Sequence, residues 1–174
     1  KYDSDGDKKW TKTLGTSDSD YSRGVAIDSN NNVYITGYTS GNLDGNTNAG
    51  SYDAFLTKYD SDGDKKWTQL LGTSSGDDSR GVAIDSNNNV YITGLTRGDL
   101  DGNTNAGNYD AFLTKYDSDG DKKWTKTLGT SDNDGSYAVA IDSNNNVYIT
   151  GNTAGNLDGN TNAGSSDAFL TKYG

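Results

Sequence analysis

The sequence contains no cysteine, histidine, methionine, proline or glutamate. All 25 of its acidic residues are therefore aspartates. Without cysteine or histidine, the chain can form no disulfide, no common zinc site and no Ser–His or Cys–His nucleophile pair. These absences exclude most catalytic machinery, and we predict that the protein is not an enzyme.

Positive charge is scarce as well, since 15 basic residues face the 25 aspartates and the net charge is −10. The basic residues form no block, so we expect neither nucleic acid nor anionic membranes as partners. No apolar run approaches the roughly 20 residues that span a bilayer, and neither a signal peptide nor an initiating methionine is present. Richness in Asn, Asp, Gly, Ser and Thr without Cys suits an extracellular or bacterial cell-surface module, natural or engineered.

What the sequence does contain is a repeated phrase, IDSNNNVYITG, at Ile27–Gly37, Ile84–Gly94 and Ile141–Gly151. The whole repeat is 57 residues long and aligns without a gap over residues 1–57, 58–114 and 115–171, and residues 172–174 begin a fourth copy. A fixed period of this length predicts stacked supersecondary units, none of which buries its apolar face alone. Residues 1–174 are therefore predicted to form a single repeat-built unit.

Each repeat predicts four antiparallel strands and no helix. In the first copy, Gly24–Asp28 and Asn32–Tyr38 are joined by a turn within the stretch Ser-Asn-Asn-Asn, whose last residue is Asn32 itself and which tolerates left-handed backbone. Asp53–Asp60 and Lys65–Leu71 form a second hairpin, in which Gly63 can take a positive φ. The first two strands carry apolar side chains on both faces and need cover on both, whereas the mostly polar fourth strand suits an outer edge. The pattern predicts an all-β protein with the architecture of a β-propeller, built from three four-stranded antiparallel blades.

The combination of GVAIDSNNNVYITG with DAFLTKYDSDGDKKW resembles the bacterial SBBP-type β-propeller repeat and, more distantly, the NHL repeat. The resemblance covers essentially the whole chain. It implies a propeller whose GVAID strand lies innermost, a common occurrence at the cell surface, and no shared catalytic activity. A parallel β-helix is the structural alternative, but its coils lack tight antiparallel hairpins. Such propellers usually close with about six to eight blades, and this chain supplies three.

The two ends of the sequence carry unmatched strands. Lys8–Leu14 has the pattern of a fourth strand without a blade of its own, and Asp167–Tyr173 that of a third strand without an outer neighbour. Two copies of the chain could exchange these strands and close a six-bladed ring by two-fold symmetry. Burial of the open faces is worth roughly 15–30 kcal/mol as an upper bound, against an association cost on the order of 4–15 kcal/mol. We expect a homodimer, with a nine-bladed trimer as the less favoured assembly.

Two recurrent motifs resemble cation sites. The first is DSDGD, at Asp3–Asp7, Asp60–Asp64 and Asp117–Asp121, which lacks both the EF-hand pattern and its bidentate Glu. The second is LDGNTNAG, which occurs once per repeat and not in tandem. A hairpin turn and a compact loop pinned by its leucine and by Asx turns are favoured over metal sites. We expect no cofactor, with Ca²⁺ as the alternative. The tryptophans are expected to pack between blades in preference to stacking on sugars; they are Trp10, Trp67 and Trp124.

Differences among the repeats define the candidate site. Twelve of the 57 aligned positions vary, and all lie within residues 12–24 and 38–52 or their equivalents. These segments contain the two long connections, which a propeller places on one face. The varying residues include Tyr and Arg, which recognition surfaces favour, although unconstrained drift of loops is the alternative explanation. The candidate ligand-binding residues on this long-loop face are Tyr21, Arg23, Tyr38, Asp78, Arg80, Arg97 and Tyr137.

The leading functional hypothesis is a non-enzymatic structural or interaction scaffold that assembles with itself into a closed propeller; a glycan or a protein is the candidate ligand. The first alternative is a lectin-like module that binds glycans through the long-loop face, with or without Ca²⁺. The second is a glycosidase that uses only aspartates, since two carboxylates suffice in principle. No unique pair of aspartates stands out as its acid and base.

Overall fold

Eleven antiparallel strands form three sheets in the computed structural model, which describes residues 1–174. The first sheet contains β1 (Asp20–Ile27), β2 (Val33–Thr39), β3 (Asp53–Tyr59) and β4 (Lys65–Leu71). The second contains β5 (Asp77–Ile84), β6 (Val90–Thr96), β7 (Asp110–Tyr116) and β8 (Lys122–Leu128). The third contains β9 (Asp134–Ile141), β10 (Val147–Thr153) and β11 (Asp167–Tyr173). Each sheet is a meander with its strands in chain order.

The first strands of the three sheets lie next to one another, β1 beside β5 and β5 beside β9. The fourth strands, β4 and β8, lie at the opposite edges of their sheets. This is the arrangement of propeller blades with the GVAID strand innermost, and it excludes the parallel β-helix. No helix in the structure has the length and apolar character that crossing a membrane requires.

Both short hairpins have the predicted backbone. Asn31 adopts a left-handed conformation with φ of 62°, and Gly63 has φ of 85°. In the second hairpin, Asp60 Oδ1 accepts hydrogen bonds from the backbone N–H groups of Asp62 at 3.0 Å and Asp64 at 2.9 Å. The aspartate therefore organises the turn as an Asx motif.

The loop between β2 and β3 is pinned by its leucine, as predicted. Leu43 opens a short 3₁₀ turn and is fully buried. The next residue, Asp44, takes a positive φ and binds the Lys65 ammonium and the Thr68 hydroxyl on β4. This attachment of the loop to the outer strand was not predicted from the sequence.

The core lies between adjacent blades. Tyr34 and Leu56 of the first sheet pack against Ile92 and other apolar residues of the second. Trp67 makes an edge contact with Tyr34, with ring centroids 5.9 Å apart. The other side of its ring meets the next blade at Gly120, where an added Cβ would lie 3.0 Å from the indole. The prediction that this tryptophan packs between blades is confirmed.

Two of the predicted blades have four strands and the third has three, because no strand follows β11. The predicted strand Lys8–Leu14 does not form: its one ladder contact is an isolated bridge between Tyr2 and Lys8. A fourth strand pairs with the third strand of its blade, as β4 pairs with β3. Of the third strand that would pair with Lys8–Leu14, the chain contains only Lys1–Asp3. Trp10 and Leu14 instead cover part of the open face of the first sheet.

Both terminal sheets retain exposed apolar side chains. In β1, Val25 is 65% and Ile27 is 62% exposed, and in β11 Leu170 is 72% exposed. Their counterparts Val82 and Leu56 belong to or pack against the core between the first two blades. The open surfaces are therefore the surfaces that an adjacent blade covers elsewhere in the same chain.

Candidate ligand-binding face

Each innermost strand contains one residue without a partner on the next strand. In β1, the register with β2 shifts between Ser22 and Gly24, which leaves Arg23 as the extra residue. Arg80 in β5 and Tyr137 in β9 occupy the same place. Such a β-bulge bends its strand and redirects the extra side chain. All three bulge residues belong to the predicted site, but the bulges themselves were not predicted.

A glycine faces each bulge because the two backbones approach too closely for a side chain. A Cβ on Gly37 would lie 1.8 Å from the carbonyl oxygen of Tyr21, and one on Gly94 would lie 1.9 Å from that of Asp78. Both distances are far below the 3.0 Å that real Cβ contacts respect. The Thr-Gly dipeptide near the end of the second strand is therefore the sequence signal of the bulge.

The bulges also correct the predicted strand boundaries. The innermost strands begin at Asp20, Asp77 and Asp134 and not at the Gly24 position. Tyr21 pairs with Tyr38 of β2, and Arg23 is the bulge residue between the paired residues Ser22 and Gly24, so both are strand residues and do not belong to a loop. Side chains on a paired strand are more rigid than side chains on an unpaired connection. The candidate site is thus built on the scaffold itself.

An open cleft of about 400 Å³ lies on the long-loop face of the first two blades. It is lined by Ser19, Tyr21, Arg23, Tyr38, Ser40, Tyr52, Asp78 and Arg80. Five of the seven predicted residues therefore come together. Ser19, Ser40 and Tyr52 were missed, although each occupies a position that varies among the repeats and so carried the same signal.

Two arginines from different blades share one aspartate. The Nε atoms of Arg23 and Arg80 donate to Asp78 Oδ1 and Oδ2, each at 3.0 Å. Asp78 is only 4% exposed, so this pairing is screened from water more strongly than an ordinary surface ion pair. The three side chains carry a net charge of about +1, which makes the cleft locally positive on a strongly acidic protein.

Aromatic rings continue the cleft on both sides of the arginines. Tyr38 lies between Tyr21 and Tyr52, with centroid separations of 5.0 and 5.1 Å. The Arg23 guanidinium sits 5.3 Å from the Tyr38 centroid. On the other side, the Arg80 guanidinium sits 4.9 Å from the ring of Tyr137 on the third blade. The contacts form one continuous line across all three blades.

Arg97 does not join this cluster. Its guanidinium lies over Tyr109, 5.5 Å from the ring centroid, within the second blade. It is therefore a neighbour of the candidate site and not part of its lining. Whether any of the seven residues binds a ligand stays a prediction.

Buried carboxylates occur at the junctions between blades. Asp53 Oδ2 accepts a hydrogen bond from the Ala49 N–H at 2.7 Å, whereas its buried Oδ1 has no partner. Burial raises the pKa of Asp53, and the nearby Asp77 carboxylate raises it further. Asp110 repeats this arrangement at the next junction, beside Asp134. These hydrogen bonds fix the start of the third strand in the first two blades.

The hairpin aspartates are differently placed. The Asp60 carboxylate binds the Lys66 ammonium at 2.5 Å in addition to its two backbone N–H groups. The hydrogen bond from Lys66 is the largest of the causes that lower the pKa of Asp60, to about 2. No group of three or more aspartates converges as a cation site.

Comparison with known proteins identifies a repeat family. A family model described as a beta-propeller repeat, SBBP, matches residues 9–44, 66–101 and 123–158. The chain is 30% identical over 185 residues to the Regulatory protein FlaEY of Caulobacter vibrioides, a match that covers 97% of this chain and 19% of that protein. It is 24% identical over 204 residues to the Uncharacterized WD repeat-containing protein L264 of Acanthamoeba polyphaga mimivirus, covering 92% of this chain and 14% of that protein. The chain thus spans less than a fifth of either relative.

Proposed function

Because the chain belongs to the SBBP β-propeller repeat family, we propose that it is a non-enzymatic interaction scaffold that closes a ring with a second copy of itself. The ring has six blades, three from each chain, related by a two-fold axis. The role requires no cofactor and no catalytic residue. The name of one relative, the Regulatory protein FlaEY, is in keeping with a role in interactions.

The observation that carries the proposal is the complementarity of the two terminal sheets. The first exposes Val25 and Ile27 and the third exposes Leu170, whereas at the inner junctions the counterparts Val82 and Ile84 are half-buried against the core and the counterpart Leu56 is fully buried. Isolated propeller edges are liabilities that proteins cover, and closure removes both edges at once. Within a longer chain, a following repeat would cover the exposed face of the third sheet in the same way as the second copy.

Thermal unfolding at several protein concentrations tests this assembly. Since unfolding of a closed dimer releases two chains, the midpoint temperature rises with concentration. We expect a rise of several degrees between about 1 and 100 µM. A midpoint independent of concentration over that range contradicts the proposal. Hydrolysis of any member of a panel of glycosides would contradict its non-enzymatic part.

The aromatic cleft favours a second function, the binding of a glycan on the long-loop face. Tyr21, Tyr38 and Tyr52 present a run of aromatic surface beside serine hydroxyls and two arginines. Aromatic faces suit the apolar faces of sugar rings, and hydroxyl and guanidinium groups suit their oxygen atoms. Two such clefts in a closed ring would add avidity.

A glycan array, read with and without chelator, tests this second function. Retention of at least one glycan is expected, and the substitution Tyr38→Ala should abolish it. Tyr109→Ala is the matched control, because Tyr109 occupies the Tyr52 position of the next blade and does not line the cleft. No retention on the array, or equal loss in both variants, contradicts the assignment. Loss with chelator alone would show that a divalent cation takes part.

A further inference from the structure

We propose that the outer edge of β11 is a docking site for Lys8–Leu14 of a second copy, in the register that β8 takes beside β7. The inference rests on the two-copy ring and names the residues that meet at its joint. It also assigns to Lys1–Tyr2 a role that opposes docking.

The two segments have the sequence of a strand pair that already exists in the chain. Lys8–Leu14 is KKWTKTL, identical to β8 at Lys122–Leu128. β11 is DAFLTKY, identical to β7 at Asp110–Tyr116. β7 and β8 pair in one register from Ala111 opposite Leu128 to Lys115 opposite Trp124, with Thr114 opposite Thr125. The corresponding register places Thr171 opposite Thr11 of the second copy.

Polar groups in the loop that precedes β11 lack the partners that their counterparts have. In the second blade, Asp101 binds the Lys122 ammonium and the Thr125 hydroxyl of β8. Asn103 Nδ2 also donates to the Thr125 carbonyl, at 3.3 Å. In the third blade, Asp158 takes the place of Asp101.

In the proposed joint, Asp158 binds Lys8 and Thr11 of the second copy. Asn160 donates to the Thr11 carbonyl, since in this chain its amide reaches only the Leu157 carbonyl, at 3.0 Å. The charges at the joint are complementary, because an aspartate on the docking edge faces a lysine on the incoming segment. Each contact reproduces one made in both complete blades.

An apolar socket accompanies the polar edge. A cavity of about 190 Å³ on the first blade is lined by Trp10, Leu14, Val33, Phe55 and other residues. At the junction of the first two blades, the counterparts of Trp10, Leu14, Val33 and Phe55 surround or adjoin a core that contains Leu56. Leu170 is the third-blade counterpart of Leu56. The exposed Leu170 of one copy therefore fits the socket of the other.

The incoming segment is already held in place. The Trp10 ring lies against Gly63 as the Trp67 ring lies against Gly120, with the added Cβ at 3.0 Å in both cases. The segment thus lies against the first blade as the fourth strand of a preceding blade would. Because Trp10 is already seated there, docking of β11 on the free side of Lys8–Leu14 orders fewer groups, which lowers the ordering cost of association.

Lys1 and Tyr2 lie beside the segment Lys8–Leu14, where β11 of the second copy would dock. Lys1 and Tyr2 occupy the same repeat positions as Lys172 and Tyr173, which continue β11. Lys1 accepts a hydrogen bond from the Lys9 N–H at 2.8 Å, and Tyr2 bridges Lys8. Lys172 and Tyr173 are fixed by pairing with β10. Lys1 also donates from its terminal ammonium to the Trp10 carbonyl at 2.8 Å and from Nζ to the Ser61 carbonyl at 3.0 Å. Because Lys1–Tyr2 has no strand pairing comparable to that of β11 with β10, it is the element displaced when the two copies meet.

The absence of cysteine permits a direct test by disulfide formation. Chains carrying Thr11→Cys are mixed with chains carrying Thr171→Cys and oxidised, so that a crosslink can form only between copies. Directly opposed strand positions have Cα separations of about 4.5–5.5 Å, within the range of a disulfide. We expect efficient crosslinking in this mixture. The mixture of Thr13→Cys with Thr171→Cys is out of register by two residues and should crosslink at least about tenfold more slowly.

Truncation tests the displaced residues. Removal of Lys1–Asp3 frees the segment edge and should lower the dimer dissociation constant by about tenfold, as expected for hydrogen bonds that no longer compete. Asp158→Asn should raise this constant about three- to tenfold, while Asp99→Asn leaves it unchanged. If the protein is dimeric but the Thr11–Thr171 crosslink does not form, or if the truncation weakens the dimer, the proposed joint is wrong and the two-copy ring is not contradicted. A monomeric protein overturns both.

Discussion

The Nε atom of Arg23 on β1 lies 3.0 Å from Oδ1 of Asp78 on β5, so the bulge residue of one blade is bonded to the innermost strand of the next. The repeats are otherwise nearly identical, and residues at varying positions make this contact. Its neighbours on the long-loop face differ among the blades in the same way. The variable positions therefore form the cleft, and they also make the contacts at one blade junction different from those at another.

Replacement of Asp78 by asparagine should destabilise the protein. Arg23 and Arg80 would remain close together without the counter-charge of the buried Asp78 carboxylate. Both arginines are partly exposed, so we expect a loss of about 1–2 kcal/mol in the free energy of unfolding by urea. The matched control is Asp99→Asn, because Asn42 and Asn156 already fill that position in the other repeats. A change of more than about 0.5 kcal/mol in the control, or none in Asp78→Asn, contradicts the assignment.

The bulge depends on its glycine. Gly94→Ala brings a Cβ within 1.9 Å of the Asp78 carbonyl oxygen, which requires the two strands to separate. We expect a loss on the order of 2–4 kcal/mol, together with disruption of the cleft. Gly135→Ala serves as the control, since its added Cβ has no neighbour closer than 3.6 Å. Equal stability of the two variants, measured by urea unfolding at one protein concentration, would be incompatible with the bulge geometry.

The two classes of aspartate predict a stability maximum in mild acid. Burial raises the pKa of Asp110, so the folded chain holds its proton more tightly and this contribution is lost as the pH rises through the raised value. Hydrogen bonds lower the pKa of Asp60 and Asp142 to about 2, so their contribution is lost as the pH falls below about 4.

Urea unfolding between about pH 2 and pH 7 should therefore show highest stability near pH 4–5. Asp110→Asn keeps an acceptor for the Ala106 N–H but removes the titrating group. The variant should lose part of the decline in stability between about pH 4 and 7, whereas Asp99→Asn should retain it. An unchanged slope in Asp110→Asn argues against the buried carboxyl as its cause.

A pair of asparagine variants reports on ring closure. Asn88 Oδ1 accepts hydrogen bonds from the Ser29 N–H at 3.3 Å and the Ser29 hydroxyl at 2.9 Å, across a blade junction. Asn31 has the same positive φ, but its side chain has no partner within the chain. In the closed ring, Ser143 of the second copy would reach it.

Asn88→Gly should therefore cost about 0.5–1 kcal/mol, and Asn31→Gly should cost the same in a closed ring. Glycine accepts the left-handed backbone without strain, so the substitutions isolate the side-chain contact. Unfolding at a fixed protein concentration measures both. A neutral Asn31→Gly beside a destabilised Asn88→Gly would show that the ring is open.

Much of the fold followed from the sequence because the repeat carries strong alternation and turn signals. The hairpin at Asn31 and the buried Leu43 are local features, and local features are encoded where they occur. The bulge at Arg23 was missed because an extra residue interrupts the alternation on which strand boundaries depend. The Gly37 signal lies on the other strand, and its meaning depends on the pairing register.

The sequence predicted which face of the propeller carries the candidate cleft, but it did not predict the contacts between the residues of the cleft. Variation among repeats located Tyr21, Tyr38 and Asp78, because positions that vary together on one face are visible in a gapless alignment. The bond between Arg23 and Asp78 could not be predicted, since it depends on how far one blade is rotated against the next. Arg97 failed to join the cleft for the same reason, because its neighbour proved to be Tyr109 of its own blade.

The mass of the protein in solution, measured by light scattering at micromolar concentration, tests the central claim most directly. Closure of a six-bladed ring predicts a monodisperse particle with twice the mass of one chain. A monodisperse particle with the mass of a single chain would contradict the account.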